Sequence, residues 1–286
     1  MRLGIFAKTF ARPRLEDVFD AVRAHNLDCV QFNLVCAGQP ALPDEIAVSL
    51  VTRIREASIS RGIEIVAVSG TYNMIHPDLE VRQAGLRRLR VLASACHSMG
   101  TSVITLCTGT RDPKNMWRWH PENASSQAWS DLLSSMEAAL RIAEEELVTL
   151  AFEPERANVV NTAAKGHALL AAMQSPHLKV VIDPANLIVA GDRGRMSRVL
   201  HGAFDLLGEN IIIAHAKDRG IDDSFQAAGE GILDYDQYVH LLRRVTFNGP
   251  LILHGLTEGQ VDAARRFLCA KLNIPLEGHL PEPGER

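Results

Sequence analysis

Short apolar runs alternate along the chain with longer stretches whose apolar residues recur at helical spacing. This is the pattern of parallel strands covered by crossover helices. The strand-like runs are Leu3–Ala7, Cys29–Leu34, Glu64–Ser69, Ser102–Cys107, Thr149–Glu153, Lys179–Asp183, Ile211–Ala216 and Leu251–His254. The helical patterns cover Leu15–His25, Pro43–Arg61, Glu80–Met99, Ser125–Glu145, Thr162–Gln174, Met196–Leu207, Tyr235–Arg244 and Glu258–Leu272. Eight strand-helix units predict an α/β fold of the closed (β/α)8 barrel type rather than an open sheet. A doubly wound nucleotide-binding sheet would want a Gly-rich turn after its first strand, and here that turn is Ala7-Lys8-Thr9-Phe10. Gly191-Asp192-Arg193-Gly194, after the sixth strand, reads as an ordinary turn.

Composition narrows this picture. With 286 residues and 47% apolar content, the chain has room for one barrel of about 250 residues. The expected organisation is one barrel domain, residues 1–273, followed by a Pro-rich tail, 274–286, in which Pro275, Pro281 and Pro283 forbid a continuous helix. A net charge of −4 with scattered Lys and Arg gives no footprint for nucleic acid. Met1–Ala11 lacks the features of a signal peptide, and no uninterrupted apolar run reaches the length of a membrane span. A cytoplasmic protein with no membrane partner is expected. The five cysteines are odd in number and irregularly spaced, so buried, reduced thiols are expected rather than disulfides or a thiolate zinc site.

In such a barrel the chemistry sits at the C-terminal strand ends. Four ends stand out: Phe152-Glu153-Pro154-Glu155, Ile182-Asp183-Pro184, Ala214-His215-Ala216-Lys217-Asp218 and Leu253-His254-Gly255. A carboxylate or imidazole closing a run of buried aliphatics suffers desolvation, which a shared cation compensates. A lone histidine in such a place reads as a hydrogen-bonded core group, but four consecutive strand ends reverse that reading. Glu153, Asp183, His215 and His254 are therefore the predicted ligands of one divalent metal ion. Mixed oxygen and imidazole donors suit Mn2+, Co2+, Zn2+, Fe2+ or Mg2+.

These motifs, with Asn161-Thr162, Asp183-Pro184-Ala185-Asn186 and Gly229-Glu230-Gly231-Ile232-Leu233-Asp234, make nearly the whole chain resemble a known family. It is similar to the xylose-isomerase-like barrels, specifically the sugar phosphate isomerase/epimerase group with the ketose 3-epimerases and inosose dehydratases. The resemblance implies that Glu153, Asp183 and His215 ligate the metal, that Glu153 doubles as an acid/base group, and that Lys217, Asp218 and Glu230 shape the mouth. Glu155 is also expected to face the substrate. There are two departures. The family usually ends its eighth strand with a glutamate that is both fourth ligand and second base, where this chain has His254. Where the ketose epimerases carry a substrate-binding histidine three residues beyond the metal aspartate, this chain has Asn186. His254 is left as either ligand or base.

Other mouth residues follow from position. His76, in the polar segment after the third strand, is a candidate substrate contact. The long connection Thr108–Asn123 carries Trp117 and Trp119, which fit either a sugar-stacking lid or a buried subunit contact. Lys8, Gln31 and Asn33 face the open mouth or the packed layers according to register. Arg156 and Arg219 flank the predicted metal as clamps for a substrate carboxylate or phosphate, or else as surface ion pairs.

The expected function is a metal-dependent sugar isomerase or epimerase acting on a ketose or related polyhydroxy carbonyl compound through an enediolate. The missing second glutamate moves weight toward isomerase or lyase, so a dehydratase on a keto-cyclitol or keto-sugar is the first alternative. A non-catalytic sugar-binding barrel subunit is the second. Apurinic endonucleases resemble these barrels but use three metals, more histidines and a basic groove, which this acidic chain lacks. The tail and tryptophan loop make a homo-oligomer the expected assembly.

Overall fold

The computed structural model describes residues 1–191 and 193–276. The turn through Asp192 and the tail prolines Pro281 and Pro283 therefore lie outside the described residues. The strands, in chain order, are β1 (Arg2–Phe6), β2 (Cys29–Phe32), β3 (Glu64–Ser69), β4 (Val103–Cys107), β5 (Thr149–Glu153), β6 (Leu178–Ile182), β7 (Ile211–Ala216), β8 (Asp218–Arg219), β9 (Phe225–Gln226) and β10 (Pro250–Leu253). Eight of them close a parallel barrel in the order β1-β10-β7-β6-β5-β4-β3-β2, and β8 pairs with β9 as an antiparallel hairpin.

The helices are α1 (Leu15–Ala24), α2 (Val48–Ile59), α3 (Leu79–Met99), α4 (Ser126–Glu145), α5 (Ala163–Met173), the single turn α6 (Pro184–Leu187), α7 (Arg193–Leu207), α8 (Tyr235–Arg244) and α9 (Val261–Leu272). Side-chain caps start several of them: Asp78 for α3, Ser125 for α4, Thr162 for α5 and Asp234 for α8 each accept from a backbone N–H of the first turn. Helical spacing buries Tyr235, Tyr238, Val239, Leu241 and Leu242 along one stripe of α8. Phe19, Ile54, Leu89, Leu132 and Leu268 bury other helices against the strands, each contributing about 1.5–3 kcal/mol of transfer free energy.

Three expected boundaries shift for identifiable reasons. The second helix begins at Val48, not Pro43, and Asp44 is drawn 2.8 Å from Arg88 of α3. The sixth strand stops at Ile182 because the Asp183 side chain accepts from Ala185 N at 2.9 Å and caps α6. In place of the first turn of the last predicted helix, Glu258–Gln260 forms a 3-10 turn with a Thr257–Gln260 capping box.

Inside the barrel, Phe6, Cys29, Ala67, Ala151, Val181, Ile213 and Ile252 form one apolar cluster. Space there is short: a Cβ on Gly4 would lie 2.5 Å from Cys29 Sγ and 2.8 Å from Ile252 Cδ1. Side chains alternate with period two along a strand, so the next inward position after each of these residues lies one layer nearer the C-terminal mouth. For six of the seven these positions are Gln31, Ser69, Glu153, Asp183, His215 and His254, while Lys8, two residues after Phe6, falls in a 3-10 turn. The five cysteines are free and buried. Among the described residues, no helix is long and apolar enough to cross a membrane.

Candidate metal centre

Asp183, His215 and His254 each bring one possible ligand atom to within 4.8 Å of the others. Glu153 is not part of that mutual set, but its Oε2 lies 3.4 Å from His215 Nδ1, and Asp183 Oδ2 lies 3.7 Å from the same nitrogen. On the other side of the ring, His215 Nε2 is 2.9 Å from Gln31 Oε1. Gln31 donates through Nε2 to Thr105 Oγ1 at 3.2 Å, which aims its carbonyl oxygen at the histidine. His215 Nε2 therefore carries the hydrogen. Its Nδ1 is buried without a hydrogen-bond partner, as is Nδ1 of His254. A neutral His215 so oriented points a lone pair at two carboxylates, an arrangement that repels unless a proton or cation lies between them. The donor set, buried and lacking hydrogen bonds on the facing nitrogens, fits a divalent ion, with Gln31 as the outer partner such histidines require.

The surrounding groups hold this geometry. Asn186 Nδ2 donates to Glu153 Oε1 at 2.6 Å. Lys217 Nζ lies 3.0 Å from Asp183 Oδ2. From α8, the Tyr238 hydroxyl donates to the His215 carbonyl at 3.0 Å and the Tyr235 hydroxyl to the Lys217 carbonyl at 3.2 Å. The electrostatics follow. Burial opposes ionisation of Asp183, but Lys217 and His215 outweigh it and hold the carboxyl well below its usual range. Burial likewise disfavours a charged His215, but Glu153 and Asp183 overcome it and lift the ring to about 9. His254 goes the other way: burial, then the charges of His215 and Lys217, keep it neutral well below its ordinary value. Glu155 is pushed well above the carboxylate range by burial and then by Glu153.

The remaining expected site residues are placed as follows. Asp218 accepts from three backbone N–H groups, Arg219 at 2.8 Å, Leu233 at 2.9 Å and Gly229 at 3.1 Å, tying the 229–233 loop to the end of β7. Gly231 fits beneath it because any Cβ would come 2.3 Å from Asp218 Oδ1. Asp218→Ala is expected to cost about 2–4 kcal/mol in urea unfolding, since several buried donors lose their acceptor at roughly 1–3 kcal/mol each. Glu230 accepts from Gln260 at 2.6 Å. Arg219 and Arg156 are both engaged by Asp223, at 3.1 and 2.6 Å, and Arg219 also donates to the Ala185 carbonyl at 2.7 Å. Both are thus ion-paired, Arg156 near the surface and Arg219 in a buried setting. Both nitrogens of His76 are used, Nδ1 accepting from Asp78 N of its own loop at 3.1 Å and Nε2 facing the Pro113 carbonyl of the connection after β4 at 3.2 Å. Trp117 and Trp119 are 55% and 51% exposed. Asn73 and Asn123 pin the start of their connection through hydrogen bonds to Thr110 and Arg111.

Beside His254 opens a cavity of about 550 Å³, lined among others by Phe6, Lys8, Phe225, Gln226 and Thr257. His76 and Trp117 do not line it. The β8–β9 hairpin that supplies Phe225 and Gln226 escaped the sequence reading because its two-residue strands have no readable period. Gln31, whose direction the sequence left open, follows the inward-facing Cys29 by two residues and also faces inward, toward His215.

A family model for xylose isomerase-like TIM barrels matches residues 19–271. The chain belongs to this family. No protein of curated description matches the sequence significantly. Among solved barrels, the apo 3-keto-D-glucoside 4-epimerase from E. coli is 16% identical, with 94% of this chain and 99% of that one aligned at a TM-score of 0.67. The probable 3-DHS dehydratase from Bacillus anthracis, involved in petrobactin synthesis, is 13% identical over 94% of this chain and 98% of its own, at 0.72. The IolI protein with a bound zinc atom is 16% identical over 96% and 98%, also at 0.72. At these identities the likeness is one of fold. Family membership thus makes the chain a xylose isomerase-like TIM barrel, and the solved barrels it resembles in fold include an epimerase and a probable dehydratase.

Proposed function

We propose that this barrel is a divalent-metal-dependent isomerase or epimerase of a ketose or related polyhydroxy carbonyl compound, working through an enediolate. The observation that carries the reading is the convergence of Asp183, His215 and His254, one possible ligand atom from each within 4.8 Å of the others, with Glu153 Oε2 3.4 Å from His215 Nδ1. Asp183, His215 and His254 would hold the ion, with Glu153 at its edge. Mn2+, Co2+, Zn2+ and Mg2+ all suit this donor set, and the zinc bound by IolI supports Zn2+ as one of them. When bound there, the ion supplies Lewis acidity toward adjacent carbonyl and hydroxyl oxygens.

The chain's own groups perform the proton chemistry. Glu153, oriented by the Asn186 amide, accepts the proton from the carbon beside the carbonyl. Returning it to the neighbouring carbon on the same face, while the hydroxyl proton passes to the former carbonyl oxygen, gives isomerisation. Lys217, kept charged by Asp183 and Glu153 against the cost of its burial, adds positive charge where the enediolate develops. Epimerisation needs a second, opposed base. With His254 engaged as a ligand, isomerisation is the favoured outcome. Lys217 also favours a second reading, dehydration, because its ammonium, 3.0 Å from Asp183, is placed to protonate a departing β-hydroxyl.

Incubation with a panel of ketoses and keto-cyclitols in D2O, with Mn2+, tests the reading. Deuterium entering the carbon beside the carbonyl is expected. Silence across the panel, with sugar still bound, would leave a non-catalytic binder. Loss of a hydroxyl together with exchange would select the dehydratase.

Two further outcomes follow. Gln31→Leu, which removes the partner of His215 Nε2, is expected to weaken metal binding about 10–100-fold in a calorimetric titration. Binding also requires His215 to shed a proton it holds up to about 9 in the metal-free protein. Affinity should therefore rise about tenfold per pH unit toward pH 9 and then level, with close to one proton released below that point. Titrations in buffers of different ionisation enthalpy measure that release, and a pH-independent affinity would contradict the assignment.

A further inference from the structure

We infer that the cavity beside His254 selects a substrate with an acidic group at the end remote from the reacting carbons, and that Lys8 is the residue that binds it. The inference rests on the reading of the Asp183–His215–His254 cluster as the reacting end. Lys8 is the one formally charged side chain among the residues lining the cavity. Its ammonium lies 4.7 Å from the centroid of the Phe6 ring, and that ring meets His254 edge-on at 5.2 Å, so one aromatic ring separates the lysine from the metal cluster.

The other cations of the mouth already have carboxylate partners. Lys217 pairs with Asp183 at 3.0 Å, Arg219 and Arg156 with Asp223 at 3.1 and 2.6 Å, and Arg12 with Glu258 at 2.9 Å. The nearby Glu230 accepts from Gln260. Among the described residues, no carboxylate forms an ion pair with Lys8. An unpaired ammonium on the wall of a cavity that contributes no carboxylate of its own gives a charge-assisted contact to an anion and nothing comparable to a neutral hydroxyl. A carboxylate and a phosphate share this chemistry.

The test compares unreactive polyol analogues of one carbon-chain length, a neutral polyol, its terminal phosphate and its terminal carboxylate, by calorimetry on the Mn2+-loaded and metal-free protein. The anionic analogues are expected to bind at least about tenfold more tightly than the neutral one, with the preference shrinking as salt rises. Whether phosphate or carboxylate binds better names the acid. Lys8→Gln is expected to collapse the ratio of anionic to neutral affinity toward one, and Lys8→Arg to restore most of it.

A neutral polyol that binds as well as the acids, no measurable binding of either acid, or an anion preference that survives in Lys8→Gln overturns the inference. Deuterium exchange on neutral ketoses without anion preference would sink this inference and leave the isomerase reading standing. A Lys8-dependent preference with no exchange on any charged or neutral ketose would do the reverse.

Discussion

Replacing Glu153 with glutamine is expected to lower turnover by about 10²–10⁴-fold, the range for loss of a general base, while metal affinity changes far less. Glu153 stands outside the mutual set of Asp183, His215 and His254, and its two oxygens have separate tasks. Oε1 accepts from Asn186 at 2.6 Å and Oε2 faces His215 at 3.4 Å. Glutamine keeps the shape and the contact with Asn186 through its carbonyl but cannot take a proton from carbon. The signature is a fall in kcat at nearly unchanged KM, with the deuterium exchange signal lost in proportion. If Glu153→Gln instead abolished metal binding and left residual chemistry in step with residual metal, Glu153 would be a ligand first and a base second.

Asp183→Asn has the other large effect, and it acts through two linked losses. Asp183 offers one of the three ligand atoms and is the ion-pair partner of the buried Lys217. Removing its charge is expected to weaken metal binding by more than about 100-fold, beyond the loss typical of an outer-shell partner. It also strands an ammonium away from water, at a cost of about 3–5 kcal/mol to the folded state. Urea unfolding of the metal-free variant measures the second loss separately. Adding Lys217→Met should recover most of the stability and none of the metal affinity, because the replacement removes the stranded charge but supplies no ligand. Full recovery of metal binding in the double variant would show that Asp183 positions its neighbours and does not ligate.

The barrel was legible because its rule is local. A strand buried on both faces reads as a short apolar run, and a crossover helix as an amphipathic one. The family assignment confirms the closed architecture and the suspected relatives. Three of the four strand-end residues expected to meet, Asp183, His215 and His254, do converge. The strand-end pattern could not tell which side chains turn inward beyond the last strand residue, and local turns decide that. Asp183 leaves its strand to cap α6, whereas His76 is consumed by its own loop and by Pro113. Clamp and ion pair stayed open for Arg156 and Arg219 because the sequence does not reveal that Asp223, 67 residues after Arg156, lies between them. Lys8 was undecided between mouth and packed layer. The 3-10 turn Ala7–Thr9 breaks the strand period just where the choice falls and leaves the lysine at the cavity. The hydroxyl contacts of Tyr235 and Tyr238 to the end of β7 had no sequence signal beyond helical burial.

Anomalous diffraction from a crystal soaked in a zinc salt tests the central claim most directly. The account predicts one strong peak between Asp183, His215 and His254, with both histidines bound through Nδ1 at roughly 2.0–2.1 Å and Gln31 still holding His215 Nε2. A crystal with no peak there at saturating zinc, and with His215 Nδ1 hydrogen-bonded directly to Glu153 or Asp183, would contradict it.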